Sequence, residues 1–249
     1  VEPPTIGVAT FDALNSDGYP YNFQTPGIEG PADTLTSLKI DLSSYDSDDE
    51  VYLSFMYQAQ GFGNSPEEED FLFLDLATGS EQIPWLTVWS VEGEELEDFE
   101  QVFISLDTLS DLFFHDQFQF RFRNLATLNG NMDHWNLDYV VLDEDIDPND
   151  FEMQDLAVMY PINTLLNQYT SMPWSHFVSS SSSNMKNELT LFERNLHTSD
   201  FNFPSGFKVE YEDQVWDMPN SWQNTANNAN SIVETPVIIN ASPNDFVFD

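Results

Sequence analysis

Between Gln117 and Asp143 the chain reads QFQFRFRN, a polar loop containing Gly130, then MDHWNLDYVVLD. Phe118, Phe120 and Phe122 alternate with Gln119, Arg121 and Arg123, the period-two pattern of a strand with one buried face and one wet face. Trp135, Leu137, Tyr139 and Val141 then share one face of a second strand, and Asn136, Asp138 and Val140 take the other. The spacing predicts two adjacent antiparallel strands, a hairpin that closes a β-sandwich and leaves Asp138 on the face opposite Trp135.

The same texture recurs upstream. Asn15-Ser16-Asp17-Gly18 and residues 27–31 carry turn chemistry, and residues 34–42 read as a strand. Val51 to Gln58 is apolar on both faces, which predicts a central place in its sheet. Residues 71–76, 85–90 and 99–106 follow at regular spacing with almost no helical periodicity between them, so the fold class is all-β and antiparallel. The DEDIDPND stretch at 143–150 reads as a linker. Beyond it, residues 156–161, 188–194, 207–212 and 233–239 predict a smaller Ig-like β-sandwich over 151–249. Ser179 to Ser183 is low-complexity, and the apolar ending Phe246-Val247-Phe248-Asp249 reads as that of a fragment.

A hydrophobic content of 41% with 14% aromatics marks a globular chain, and 249 residues suit two ordinary domains. The net charge of −38, from 44 acids against 6 bases, argues against nucleic acid or an anionic membrane as partner. Three readings of that charge stay open: a solvated surface screened by salt, carboxylates that bind Ca²⁺, or a face for a basic partner. Cysteine is absent, which removes disulfides, thiolate catalysis and cysteine–zinc sites. No apolar run approaches the roughly 20 residues of a membrane span, and Val1-Glu2-Pro3-Pro4 does not read as a signal peptide.

Asp133-His134-Trp135-Asn136-Leu137-Asp138-Tyr139-Val140 resembles the D-x-W-x-L-D-x-V last strand of MAM-like, reelin-like and carbohydrate-binding jelly rolls, all concanavalin-like sandwiches. Phe11-Asp12-Ala13-Leu14, Gly18-Tyr19-Pro20-Tyr21, residues 32–37 and residues 51–58 are similar to the opening of such domains in surface proteins of bacteria that use the type 9 secretion system. The similarity spans about residues 8–145, and Met172-Pro173-Trp174-Ser175-His176-Phe177 continues it. It implies a jelly roll over 8–145 in an exported, modular, non-enzymatic protein, extracellular or at the outer cell surface. The role implied is binding or assembly, with a protein or glycan as partner. Two alternatives accompany it: an accessory subunit of an outer-membrane secretion or gliding-motility complex, and a carbohydrate-binding module of a secreted glycoside hydrolase.

The resemblance also implies a structural Ca²⁺ between an acid near the first strand and one in the last. Asp12 and Asp138 occupy the matching places, and Asn15, Asp17 and Asp33 are near enough in sequence to help complete six to eight oxygens. The competing reading has Asp138 hydrogen-bonding a turn and Asp12 exposed. Two tripeptides, at Asp33-Thr34-Leu35 and Asp107-Thr108-Leu109, match a short pattern of O-glycosylation in bacteria of this secretory type, with Thr34 and Thr108 as acceptors. A turn or a strand start explains both equally well.

Tyr19, Tyr21, Phe62, Trp85 and Trp89 lie in or beside loops or strand ends and are the candidate platform for a sugar ring or a partner protein. The alternative is that they fill the core of a sandwich without disulfides. Glu95-Leu96-Glu97-Asp98-Phe99-Glu100 is a near miss to the E-x-D-x-x-E strand of concanavalin-like hydrolases, and reads as an acidic hairpin tip. Glu67-Glu68-Glu69-Asp70 reads as a solvated loop, because consecutive acids point in different directions. No G-x-S-x-G elbow, paired zinc histidines or phosphate-cradling glycine loop is present, so no catalytic residue is assigned.

Overall fold

In the computed structural model, residues 2–79, 84–144, 146–149, 153, 155–197, 199–205, 208–211, 214–217, 223–227 and 232–238 are described. The chain divides into two compact units, residues 1–3 with 7–151, and residues 4–6 with 152–249.

Among the described residues the first unit has eight strands, β1 (Ala9–Phe11), β2 (Glu29–Thr36), β3 (Tyr52–Ala59), β4 (Phe71–Ala77), β5 (Trp85–Glu92), β6 (Glu100–Ser105), β7 (Phe120–Thr127) and β8 (Trp135–Asp143). They form two antiparallel four-stranded sheets ordered β1-β8-β3-β6 and β2-β7-β4-β5. A 3₁₀ turn at Asp107–Leu109 and the one-turn helix α1 (Ser110–Phe113) lie between β6 and β7.

Alternation builds the core. Leu53, Phe55 and Tyr57 of β3 are buried, as are Leu72, Leu74 and Leu76 of β4 and Phe122 of β7, and all belong to one cluster. The ring of Phe55 meets that of Phe122 edge-on at 4.8 Å, joining the two sheets. Each such side chain removed from water contributes about 1.5–3 kcal/mol. β3 lies between β8 and β6, the central place its two apolar faces predict.

The predicted hairpin does not form. β7 pairs with β2 and β4, β8 with β1 and β3, and the segment between them crosses from one sheet to the other. Alternation says which face of a strand is buried, and two strands facing each other across a core satisfy it as well as two neighbours. Asp138 does lie opposite Trp135, since Trp135 pairs with Ala59 and Asp138 with Met56. Beyond it the register slips at a bulge where Tyr139 has φ 54°. Val141 therefore pairs with Ser54 and faces away from Trp135, and Leu142, opposite Leu53, takes the inner face instead. The predicted strand at 34–42 is also displaced: β2 runs from Glu29 to Thr36 through Pro31 on a sheet edge, with a bulge between Pro31 and Thr34, and Ile40 makes only an isolated bridge to Phe118.

The second unit pairs β9 (Leu156–Val158) with β10 (Glu188–Asn195), and β10 with β15 (Ile232–Ile238). Inside that ladder nest β11 (Phe201–Ser205) with β14 (Gln223–Asn227), and β12 (Lys208–Tyr211) with β13 (Gln214–Asp217). The serine-rich run ends one short helix, α2 (Trp174–Ser179), caps it at Ser180 and begins another, α3 (Ser181–Asn184). Positions 145 and 150 of the expected linker, 207, 212 and 239 of the expected strands, and residues 246–249 lie outside the described residues. No helix among the described residues is long and apolar enough to cross a membrane.

Candidate metal centre

Four loops gather at one end of the first unit, those joining β1–β2, β3–β4, β5–β6 and β7–β8, and hydrogen bonds tie them to one another. Asn22 N–H donates to Leu128 O at 2.8 Å. Asn64 links the β3–β4 loop to the β7–β8 loop, its N–H donating to His134 Nδ1 at 2.7 Å and its Oδ1 accepting from Asp133 N–H at 3.2 Å. Since His134 Nδ1 accepts, Nε2 carries the proton and donates to Asn131 Oδ1. The β5–β6 loop is held by Gly93 N–H to Asp70 O and by Ser65 Oγ to Glu94 O, both 2.8 Å.

Inside this knot Glu67, Asp70 and Asp133 place carboxylate oxygens within 4.8 Å of one another. Chain topology brings them together: Asp70 stands immediately before β4 and Asp133 two residues before β8, strands of opposite sheets that start at the same end. Asp70 is 2% exposed and Asp133 fully buried, whereas Glu67 reaches solvent. One oxygen of each aspartate is committed, Asp70 Oδ2 to Glu67 N–H at 2.9 Å and Asp133 Oδ2 to Thr127 N–H at 2.6 Å. The other oxygens, Asp70 Oδ1 and Asp133 Oδ1, are buried without a hydrogen-bond partner among the described residues. Asp133 also holds a left-handed backbone, φ 56°. Burial pushes the Asp70 carboxyl up to about 7, the neighbouring Asp133 charge adds to it, and the Glu67 N–H bond opposes it.

Two buried carboxylate oxygens without donors, beside a third acid, form a donor set for a hard cation. All ligands are oxygen, with no imidazole or thiolate, which fits Ca²⁺ better than zinc or copper.

The ligand set expected from the sequence is arranged differently. Asp33 Oδ2 accepts from the N–H groups of Asp12 and Ala13 at 2.9 and 2.8 Å, and Asp33 Oδ1 from the Tyr21 hydroxyl at 2.8 Å. Asp12 Oδ1 accepts from Leu14 N–H, and Asn15 Oδ1 from the N–H groups of Asp17 and Tyr19. These oxygens close turns beside a cavity of about 310 Å³. Asp138 is not brought to them: Phe11 pairs with Trp135, and Asp138 lies three residues further along β8, about 10 Å at the rise of a strand. Its Oδ1 accepts from Tyr139 N–H. Asp12, Asn15 and Asp33 thus line one cavity, Asp33 bonded to the Asp12 N–H, while Asp138 does not line it and Asp17 is exposed at the turn.

The five candidate aromatics also separate. Tyr19, Tyr21 and Phe62 are exposed in the loops of the metal-centre end, Phe62 by 86%. Trp89 packs into the core, edge-on to Phe55 at 5.0 Å and to Tyr57 at 5.1 Å. Trp85 sits at the far end of β5 under the Arg121 guanidinium, 4.3 Å from its ring centre. Both Arg121 and Arg123 bond Asp75 Oδ2 at 2.8 Å. Thr34 and Thr108 are exposed. Glu100 is held by the Tyr57 hydroxyl at 2.9 Å, and Glu95 lines an acidic cavity beside Glu67.

Sequence reasoning passed over Glu67, Asp70 and Asp133. The signal available was an acid directly before a predicted strand, repeated at Asp70 and again just before Trp135. Compared with known proteins, the chain matches no family model and no curated protein.

Proposed function

We propose that this chain is a non-catalytic exported module for binding or assembly at a bacterial surface, with its loop end fastened by Ca²⁺. The observation that carries the reading is the pair of buried, donorless oxygens on Asp70 and Asp133 beside Glu67. Bound there, the ion would link the β3–β4 loop to the β7–β8 loop, so loop geometry would depend on calcium, which is plentiful outside cells.

The sheet orders β1-β8-β3-β6 and β2-β7-β4-β5 support the jelly-roll reading of residues 8–145, since successive strands change sheet except at the β4–β5 hairpin. The nested ladders of the second unit support a small antiparallel β unit, without favouring an Ig-like strand order. Type 9 export rests on the motif resemblance, with which the acidic composition and missing cysteines agree. Exposed Tyr19, Tyr21 and Phe62 at the loop end suit a glycan, and equally a partner protein, as in an accessory subunit of an outer-membrane secretion or gliding-motility complex.

Thermal unfolding in calcium, in chelator and in sodium chloride of matched ionic strength tests the carrying observation. A calcium-specific rise in Tm that is absent from Asp133→Asn supports the reading, because a ligand bound only by the folded state stabilises it by mass action. An equal rise in sodium chloride would reduce the acids to a screened surface.

A further inference from the structure

The ion site is closed on one side and open on the other. Asp70 and Asp133 form a buried floor, and Glu67 is the exposed edge. Beyond Glu67 lies a cavity of about 670 Å³ between the β3–β4 and β5–β6 loops. The two loops are in close contact: a Cβ built on Gly93 would lie 1.9 Å from Glu67 O, so only glycine fits there.

The oxygens do not fill a calcium shell. With Oδ2 of each aspartate engaged by an N–H group, the floor offers Oδ1 of Asp70 and Oδ1 of Asp133, and Glu67 adds one or two oxygens. Ca²⁺ takes about six to eight, so at least about two positions remain, on the Glu67 side. Water can fill them, and so can a ligand in the cavity.

The cavity wall selects among ligands. Glu68, Glu69, Glu94 and Glu95 line it, and burial, with the charges of Glu100 and Glu97 adding to it, pushes the Glu94 carboxyl above its ordinary value. A carboxylate or phosphate would meet repulsion from this wall, and an ammonium group has no lone pair for a metal. Neutral oxygen donors remain, and two adjacent hydroxyls chelate one ion at two neighbouring positions. Phe62 does not line the cavity but stands two residues before Asn64, which does, and is 86% exposed, so a molecule reaching out of the cavity along this loop would meet its ring.

Resting on the calcium reading above, we infer that the ion at Glu67, Asp70 and Asp133 is a ligand-coordinating centre that binds a neutral sugar through a vicinal diol, and not a closed structural site. The test uses Tb³⁺, a lanthanide of similar size and ligand preference, with Trp135 two residues from Asp133 as sensitiser. Luminescence lifetimes in H₂O and D₂O count the waters on the bound ion. The expected result for the full chain is about two or more waters, a number that falls when neutral methyl glycosides with cis and trans diols are added and not when cyclohexanol is added. Phe62→Ala should weaken the sugar response while leaving Tb³⁺ affinity unchanged.

A shell with fewer than about one water, or a water count that no glycoside lowers, would overturn the inference while leaving the ion in place. Displacement by a lysine-rich peptide in place of sugar would overturn it in favour of a basic partner. Absence of sensitised emission would remove the calcium reading itself, and this inference with it.

Discussion

Replacing Asp70 by Asn separates a metal centre from a merely acidic loop, because the substitution should stabilise the ion-free protein and at the same time remove its gain from calcium. Without a cation, the fold holds two buried carboxylates whose Oδ1 atoms have no donor, and the Asp70 carboxyl moves from 3.8 to about 7. At about 1.4 kcal/mol per unit, keeping it ionised at pH 8 costs the ion-free fold on the order of 4 kcal/mol. Asn keeps an oxygen for the Glu67 N–H and gains an amide that can donate toward Asp133, so most of that cost is relieved. In chelator at pH 8 the variant should be more stable than the parent by roughly 2–4 kcal/mol, a Tm rise of roughly 6–12 °C for a unit of this size. In calcium at about a hundred times Kd the parent should gain about 2.7 kcal/mol, and the variant almost none. Circular-dichroism melts of both proteins, with calcium and with chelator, read all four numbers. If Asp70→Asn lowers Tm in chelator, or keeps the calcium increment, the reasoning about this cluster is wrong.

Other consequences follow from the same contacts. The raised carboxyl of Asp70 means that the folded state holds its proton more tightly than the unfolded chain does, so ion-free stability should fall as pH rises from about 4 to about 7 and level off above. Protons and the ion compete for the same oxygens, so calcium affinity by calorimetry should be weaker at pH 5.5 than at pH 8. Gly93→Ala should cost at least about 2 kcal/mol in denaturant titration, because its methyl would meet the Glu67 carbonyl within the backbone. Asp75→Ala should cost about 3–5 kcal/mol by leaving Arg121 and Arg123 without their shared carboxylate. Burial works against the ionised Asp75 carboxyl, but bonds from Arg123, Thr87 and Arg121 outweigh it and hold the group below its ordinary value. Its contribution is therefore present above about pH 4 and lost as pH falls through the folded value, and the acid limb of the unfolding curve should flatten in the variant.

How much could be read from the chain depended on how local the physics was. The strands declared themselves because inward residues such as Leu53, Phe55 and Tyr57, or Leu72, Leu74 and Leu76, repeat with period two. Partnership did not, since Phe122 and Trp135 alternate in the same way whether their strands pair or face each other. The bulge at Tyr139 has no local signature, and a single-residue slip sends Val141 outward and Leu142 inward. The acids show the same divide. Asp12, Asn15 and Asp33 drew notice by their nearness to the first strand, yet their oxygens are taken up by N–H and O–H groups within a few ångströms. Glu67 and Asp70 read as loop charge and Asp133 as the opening of a strand motif, because their meeting depends on a contact 63 residues away in sequence, between the starts of β4 and β8. Among the aromatics, Trp89 was drawn inward by Phe55 and Tyr57, while Phe62 stayed exposed next to glycines on either side.

The central claim is that three acids from two loops hold one calcium ion, and calorimetric titration of Ca²⁺ into chelator-treated protein at pH 8 meets it most directly. The account predicts one saturable site per chain, present in parallel samples of raised sodium chloride and abolished in Asp133→Asn and Asp70→Asn. Heat that vanishes in salt, or a site that survives both substitutions, would contradict it.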